Sequence, residues 1–159
     1  MVRRLLAFGV ALSLGAAPAL AQGTKFPPIT DKTTLTECSA CHLAFPPQLL
    51  PARSWQALLG NLGNHFGQSA TLAAQDQATV LAYLKAHAAD APGTPGGATY
   101  LKGLQASTTP LRITETPYWK RWHGEVSKAR FAQVKSPANC EACHKGAAKG
   151  QFTEAEEEE

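Results

Sequence analysis

Methionine is nearly absent from the 159-residue chain: the one copy is Met1. Beyond that position there is no thioether to offer a metal, so any iron or copper bound must be held by other side chains. Cysteine is limited to Cys38, Cys41, Cys140 and Cys143, two close pairs with none left over for a free catalytic thiol. No Ser-His-Asp or Cys-His arrangement for nucleophilic catalysis stands out. Long apolar runs are also scarce. Leu5 to Leu14, interrupted by Gly9 and Ser13, is too short to cross a bilayer, and no later segment is apolar enough. Acidic residues are thin in the body of the chain, because five of the 12 crowd into Glu154 and Glu156 to Glu159. Such a like-charge block is usually a disordered tail.

The short N-terminal apolar run instead reads as an export signal. Arg3 and Arg4 precede it, and Ala19-Leu20-Ala21 before Gln22 forms an A-x-A cleavage site. The mature chain, 22–159, is therefore expected in a bacterial periplasm, reached by the general secretory route. With Gln22, not cysteine, immediately after the cleavage site, no lipid anchor is expected.

All four cysteines fall in Cys38-Ser39-Ala40-Cys41-His42 and Cys140-Glu141-Ala142-Cys143-His144, two copies of the C-x-x-C-H spacing that attaches c-type haem. Two thiols three positions apart on one helical turn can each form a thioether to a haem vinyl group, and the following histidine then meets the iron from the same side. The cofactors expected are two covalently attached haems. A zinc cage or a pair of disulfides is the competing use of two C-x-x-C pairs. Both pairs carry a histidine at the same offset, they lie far apart in the chain, and the chain bears an export signal, all of which favour haem.

A Pro/Gly-rich stretch, Asp90 to Gly97, separates the two motifs. The organisation expected is a signal peptide (1–21), an N-terminal haem domain (22–92), a linker (93–97), a C-terminal haem domain (98–152) and an acidic tail (153–159). Segments this small rarely bury enough apolar surface to fold alone, so each is expected to use its haem as core. The fold class expected is mainly α. Pro51 opens one helix through Trp55, Leu58, Leu59 and Leu62 that ends near Gly60 to Gly63, and a longer one runs from about Thr71 to Ala89 with Val80, Leu81, Leu84 and Ala88 on its apolar face. Thr116-Pro117 and Ser136-Pro137 each look like an N-cap followed by proline, predicting helices that carry His123 and the second motif. Leu111 to Thr114 alternates and predicts a short strand. Charge divides unevenly: four basic residues balance four acidic ones over 22–93, whereas nine face three over 98–152. The basic half is either a solvated face that offsets haem propionates or a docking surface for an acidic redox partner.

The residue closing the far side of each iron separates an electron carrier from a catalyst or gas binder. With methionine excluded, His65, His87 and His123 are the candidates for two positions. His65 lies in the glycine-flanked loop Leu62 to Gly67 before the long helix, where small class I cytochromes c place their sixth ligand. His123 follows the aromatic stretch Tyr118-Trp119-Lys120-Arg121-Trp122, whose indoles could pack on a haem. His87 shares a stripe with Val80, Tyr83 and Leu84, but a cation in the last turn also suits the helix dipole. A lone histidine among aromatics is often only a hydrogen-bonded core group; two haems and no methionine favour ligation by His65 and His123. Which of them serves which haem is open at this level.

Glu37 to Pro47, with Leu43-Ala44-Phe45-Pro46-Pro47 after the first motif, then Leu49 to Trp55, the Leu62-Gly63-Asn64-His65-Phe66-Gly67 loop, and Arg112-Ile113-Thr114 leading to Trp119 and His123, resemble the bacterial dihaem cytochrome c family abbreviated DHC. The resemblance spans about residues 35 to 145. It implies a periplasmic electron-transfer protein with a class I cytochrome c-like N-terminal half and bis-histidine haems. The partner implied is a small monohaem cytochrome that binds oxygen, often alongside a membrane cytochrome b. The alternative function is a peroxidase-like haem enzyme or gas-responsive protein with one open iron, although dihaem peroxidases are much longer. A purely structural haem domain is a third possibility.

Overall fold

A computed structural model describes residues 24–153. The expected export signal and glutamate block lie outside the described residues. In chain order the elements are β1 (Thr24–Lys25), α1 (Lys32–Cys38), α2 (Ala52–Leu59), α3 (Ala74–Ala86), α4 (Gly97–Leu101), α5 (Pro117–His123), α6 (Lys128–Gln133) and β2 (Gln151–Phe152). Tight 3-10 turns occur at Pro47–Leu49, Leu62–Asn64, Ile113–Glu115, Cys140–Ala142 and Ala147–Lys149. The fold is mainly α, as expected, and no described helix is long and apolar enough to cross a membrane.

The apolar core lies in the first half. Leu50, Trp55 and Leu59 meet Val80, Leu84 and Ala88, while Cys38, Phe45 and Leu62 pack at the margin. Trp55 buries its ring and donates Nε1–H to the Pro47 carbonyl at 2.9 Å, so its one polar atom is satisfied inside. Pro51 occupies the N-cap of α2 and has no capping side chain, and Asp90 supplies one from across the fold by accepting the Ala52 N–H at 2.7 Å. That bond pins the start of the stretch expected to be a linker, which runs as consecutive turns with the Thr94 hydroxyl donating to Ala88 O at 2.9 Å. Gly97 lies so close to the Ala89 carbonyl that a Cβ there would sit 2.1 Å from the oxygen.

The second half has little apolar filling. Beyond residue 97 the buried side chains among the described residues are Pro110, Thr116 and Ala147. Helices α5 and α6, seven and six residues long, bury none of their residues, and helices this short are marginal without packing. Aromatic rings hold the region together: Phe26 meets Tyr100 at 5.0 Å and Phe152 at 5.3 Å, and Tyr100 meets Tyr118 at 5.1 Å. Antiparallel pairing of β1 with β2, Thr24 opposite Phe152, brings the two ends of the described chain together.

Several local expectations need correction. The long helix spans Ala74–Ala86 rather than Thr71 to Ala89, because His87 leaves helical geometry and its Nδ1–H bonds back to Tyr83 O at 2.9 Å. Leu111 to Thr114 is no strand; Ile113–Glu115 forms a 3-10 turn closed by Glu115 reaching the Arg112 N–H at 3.4 Å. Thr116 caps α5 as expected, its hydroxyl accepting from the Trp119 N–H at 3.2 Å. Ser136-Pro137 does not start a helix through the second motif: Lys135 has φ 68°, the Asn139 amide donates to Val134 O at 3.1 Å, and only the Cys140–Ala142 turn follows.

Candidate functional site

The first motif begins where α1 ends. Asp31 caps that helix, accepting the Thr34 N–H at 2.7 Å, and Cys38 is its last residue. Burial pushes the Cys38 thiol up to about 11, with Glu37 adding to the effect. Such a thiol stays protonated, an inert sulfur until it is spent in a thioether. His42 donates Nδ1–H to Leu43 O at 2.7 Å. A carbonyl can only accept, so this bond fixes the tautomer and leaves Nε2 with its lone pair for a metal.

His65 is carried to His42 by a narrow loop. After the Leu62–Asn64 turn, the His65 N–H donates to Gln68 O at 2.7 Å, the Gln68 N–H returns to His65 O at 3.1 Å, and the Asn64 side chain accepts from the Gly67 N–H at 3.0 Å. Gly67 at φ +90° permits this reversal; Phe66, at φ 54°, pays strain for it. The Phe66 ring stands edge-on to His65 at 4.8 Å and lies under the Arg112 guanidinium at 3.8 Å, a cation-π contact worth about 0.5–1 kcal/mol at an exposed site. The His65 and His42 ring centroids are 6.1 Å apart with planes 22° from parallel. Burial, then the neighbouring His42 and Arg112, lower the His65 pKa, which favours the neutral imidazole a metal needs.

At the second motif α5 supplies His123. Its Nδ1–H donates to Trp119 O at 3.0 Å, and its ring stacks on the Trp119 indole at 4.5 Å and 3°. Phe131 of α6 stacks on the same indole at 5.6 Å. Across from it, His144 donates Nδ1–H to Thr153 O at 2.8 Å. The two centroids are 6.0 Å apart with planes at 83°. Burial lowers the His123 pKa and His144 adds to the shift, against the Trp119 carbonyl. Burial likewise raises the Cys140 thiol to about 11.

These spacings can be tested against iron in a haem. An imidazole nitrogen binds a first-row metal at about 2 Å, so two rings facing each other through one metal atom have centroids on the order of 6 Å apart. Both histidine pairs meet that requirement. The thiols do not converge on a four-thiolate cage, since no three or more His, Cys, Asp or Glu side chains among the described residues are placed to hold one metal ion together. Beside the first motif lies a cavity of about 730 Å³ whose walls include Leu35, Cys41, His42 and Pro46 and, from the second motif's surroundings, Glu141 and Ala147. Small-molecule and cofactor sites commonly have volumes of this order. The facing imidazole donors fit a haem iron.

His87 stands apart. It is exposed, its ring lies on Tyr83 at 4.2 Å, and no second histidine faces it. Trp119 packs on a histidine, whereas Trp122 is 64% exposed. Sequence reasoning did not single out Phe66 over Arg112 or Thr153 against His144 as supports; both contacts join distant or irregular segments and leave no spacing signal.

The chain matches the family model described as "Dihaem cytochrome c" over residues 34–152. Among solved structures it is similar to the diheme cytochrome c from Rhodobacter sphaeroides, with 48% identity over 79% of this chain and 99% of that one and a TM-score of 0.73. A second structure, of DHC purified from Rhodobacter sphaeroides, gives 46% identity, the same coverage and a TM-score of 0.67. The diheme cytochrome type c from Shewanella baltica OS155 gives 34% identity over 76% of this chain and 85% of that one, with a TM-score of 0.60. No curated protein sequence matches.

Proposed function

The chain belongs to the dihaem cytochrome c family, and we propose that it carries electrons through two low-spin haems, each closed on both faces by histidine. As a family member it is a c-type cytochrome with two covalently bound haems. In this reading Cys38, Cys41, His42 and His65 would hold the first haem, and Cys140, Cys143, His144 and His123 the second. The observation that carries the assignment is the pair of facing imidazoles, 6.1 and 6.0 Å between centroids. The segments 22–92 and 98–152 are then two haem units joined through 93–97.

When bound, the haem supplies a one-electron couple. The rest is the work of the chain. The Leu43, Trp119 and Thr153 carbonyls hold His42, His123 and His144 with Nε2 unprotonated, so iron ligation needs no proton release at these sites. Two imidazoles at each site would leave no position for substrate and would give a lower potential than a methionine ligand. Cys41 and His42 of the first motif and Glu141 of the second border one cavity, which supports passage of electrons between the two centres within the molecule.

The docking face proposed is the basic half. Lys120, Arg121 and Trp122 lie exposed on the helix that carries His123, and neither cation takes part in the two ion pairs of the described residues, Arg53–Asp90 and Arg112–Glu115. This surface suits an acidic redox partner held by weak, salt-sensitive contacts. The family resemblance suggests a small monohaem cytochrome for that role, often alongside a membrane cytochrome b, and the N-terminal residues suggest a periplasmic setting.

The test is the visible spectrum of the reduced, mature holoprotein with and without carbon monoxide. An unchanged low-spin spectrum is expected; prompt binding at one haem would overturn the carrier reading in favour of an open, catalytic or gas-binding site.

A further inference from the structure

The two motif histidines are held differently. The acceptor for His42 is the carbonyl of the next residue, Leu43, whereas the acceptor for His144 is Thr153, nine positions away. The chain reaches Thr153 through a compact reversal. The Gly150 N–H donates to Ala147 O at 2.9 Å and the Gln151 N–H to Gly146 O at 3.0 Å, turning residues 151–153 back over the motif. Gly150 adopts φ +73°, where an L side chain is strained.

A clasp from the start of the described chain then fixes this return. β1 pairs with β2, and the Phe26 N–H donates to Gly150 O at 2.8 Å. Phe26, buried to 6% exposure, meets Phe152 edge-on, and Thr24 Oγ1 lies 3.0 Å from the Tyr118 hydroxyl. The Phe152 ring lies 5.5 Å from the His144 ring. Nothing else in the described residues accepts from His144 Nδ1.

We infer that Thr153 is a positioning residue for the second haem: its carbonyl, held in place by the clasp of residues 24–26 on 150–152, orients His144 and sets the potential of that haem separately from the first. The inference rests on His144 being an iron ligand. An acceptor on Nδ1–H makes the imidazole a more basic ligand, and a more electron-rich ligand favours the oxidised iron. Loss of the acceptor therefore raises the potential of the second haem. The first haem keeps its own, local acceptor and stays where it was.

Gly150→Ala tests this in the holoprotein. A Cβ at Gly150 would lie 2.4 Å from the Phe26 carbonyl oxygen, a backbone atom that cannot swing aside, so the clasp must open. In a redox titration followed by visible absorption, the wave displaced in His123→Ala identifies the second haem. That wave is expected to move upward in Gly150→Ala by a roughly tenfold change in the oxidised-to-reduced ratio, about 59 mV for one electron, with the other wave unmoved. A low-spin Gly150→Ala protein with neither wave shifted, or with both shifted equally, would overturn the inference. A second measurement needs no substitution. In the reduced, diamagnetic wild-type holoprotein, the His144 Nδ1 proton is expected to exchange slowly with solvent and to show a nuclear Overhauser contact to Thr153; fast exchange without that contact would overturn the inference too. The ligand assignment is read separately: a high-spin second haem in the wild type would overturn the assignment itself.

Discussion

Replacing His123 with alanine tests the second centre most directly. The substitution removes a ring stacked on Trp119 at 4.5 Å, an arrangement worth about 0.5–1.5 kcal/mol beyond its buried area. It also removes the 3.0 Å bond to the Trp119 carbonyl, worth a net of about 0.5–1.5 kcal/mol. Together these make about 1–3 kcal/mol, against a typical domain stability of about 5–15 kcal/mol, so the fold is expected to survive and the thioethers at Cys140 and Cys143 to keep the haem. No other group stands ready to replace the ring. The sole methionine is Met1, and His87 is exposed and bound to Tyr83 O at 2.9 Å. One haem should therefore turn high-spin while the other is unaltered, and the reduced protein should bind carbon monoxide to a limit of one per chain. Added imidazole should restore the low-spin spectrum, and His87→Ala should leave it unchanged throughout. A His123→Ala spectrum that stays low-spin with no carbon monoxide bound would refute the assignment.

The two ligand pairs differ in orientation, 22° against 83° between ring planes. Because relative plane orientation sets the splitting of the iron d orbitals, the oxidised holoprotein should show two different low-spin signals by electron paramagnetic resonance; a single signal integrating to both irons would contradict the geometry. Reversing Lys120 and Arg121 to glutamate should slow reduction of hexacyanoferrate(III) about tenfold at 0.01 M salt, within the usual range of electrostatic steering, and much less at 1 M, where the screening length falls to about 3 Å. An equal effect at both salt concentrations would exclude steering by this patch. Asp31 has its pKa lowered by the Thr34 N–H it accepts. Its capping contribution is thus present above the unfolded carboxyl value near 3.9 and lost as pH falls through the lower folded value. Asp31→Ala should lower the thermal midpoint at pH 7 and abolish that acid-dependent component, whereas Asp31→Asn should keep the cap without the titration. In a chain with all four motif cysteines changed to alanine, hydrogen exchange should find protection surviving in α2 and α3 but lost in α5 and α6; equal protection in both regions would refute cofactor-dependent folding of the second half.

Much of this architecture could be read locally. Thr116-Pro117 and Pro51 place helix starts through backbone chemistry that acts within a turn, and the spacing of Val80 and Leu84 shows which face of α3 is buried. Ser136-Pro137 carried the same local sign and failed, because Asn139 and Lys135 turn the backbone into an irregular loop instead. The histidine pairing was legible only as a set of candidates. Placing His65 opposite His42 depends on the loop from Asn64 to Gln68, and placing His123 opposite His144 depends on the Trp119 carbonyl that orients the one ring and on the return of the chain that brings Thr153 to the other. Thr153 carries no chemical signal, because its contribution is a backbone carbonyl that any residue could supply.

The two centres also stand on unlike foundations. The first is built against the core cluster of α2 and α3, on whose margin Cys38 packs, so His42 and its neighbours inherit rigidity from helices already packed. The second has three buried side chains in its whole half and relies on ring-to-ring contacts, on an edge clasp of two-residue strands, and on the cofactor. On the proposed ligation, a haem held this way would respond more to its surroundings: a partner settling on Trp122 and the α5 cations would press on the element that carries His123, while the clasp holds His144. The same electron carrier would then pair a firmly set first potential with a second that docking can adjust.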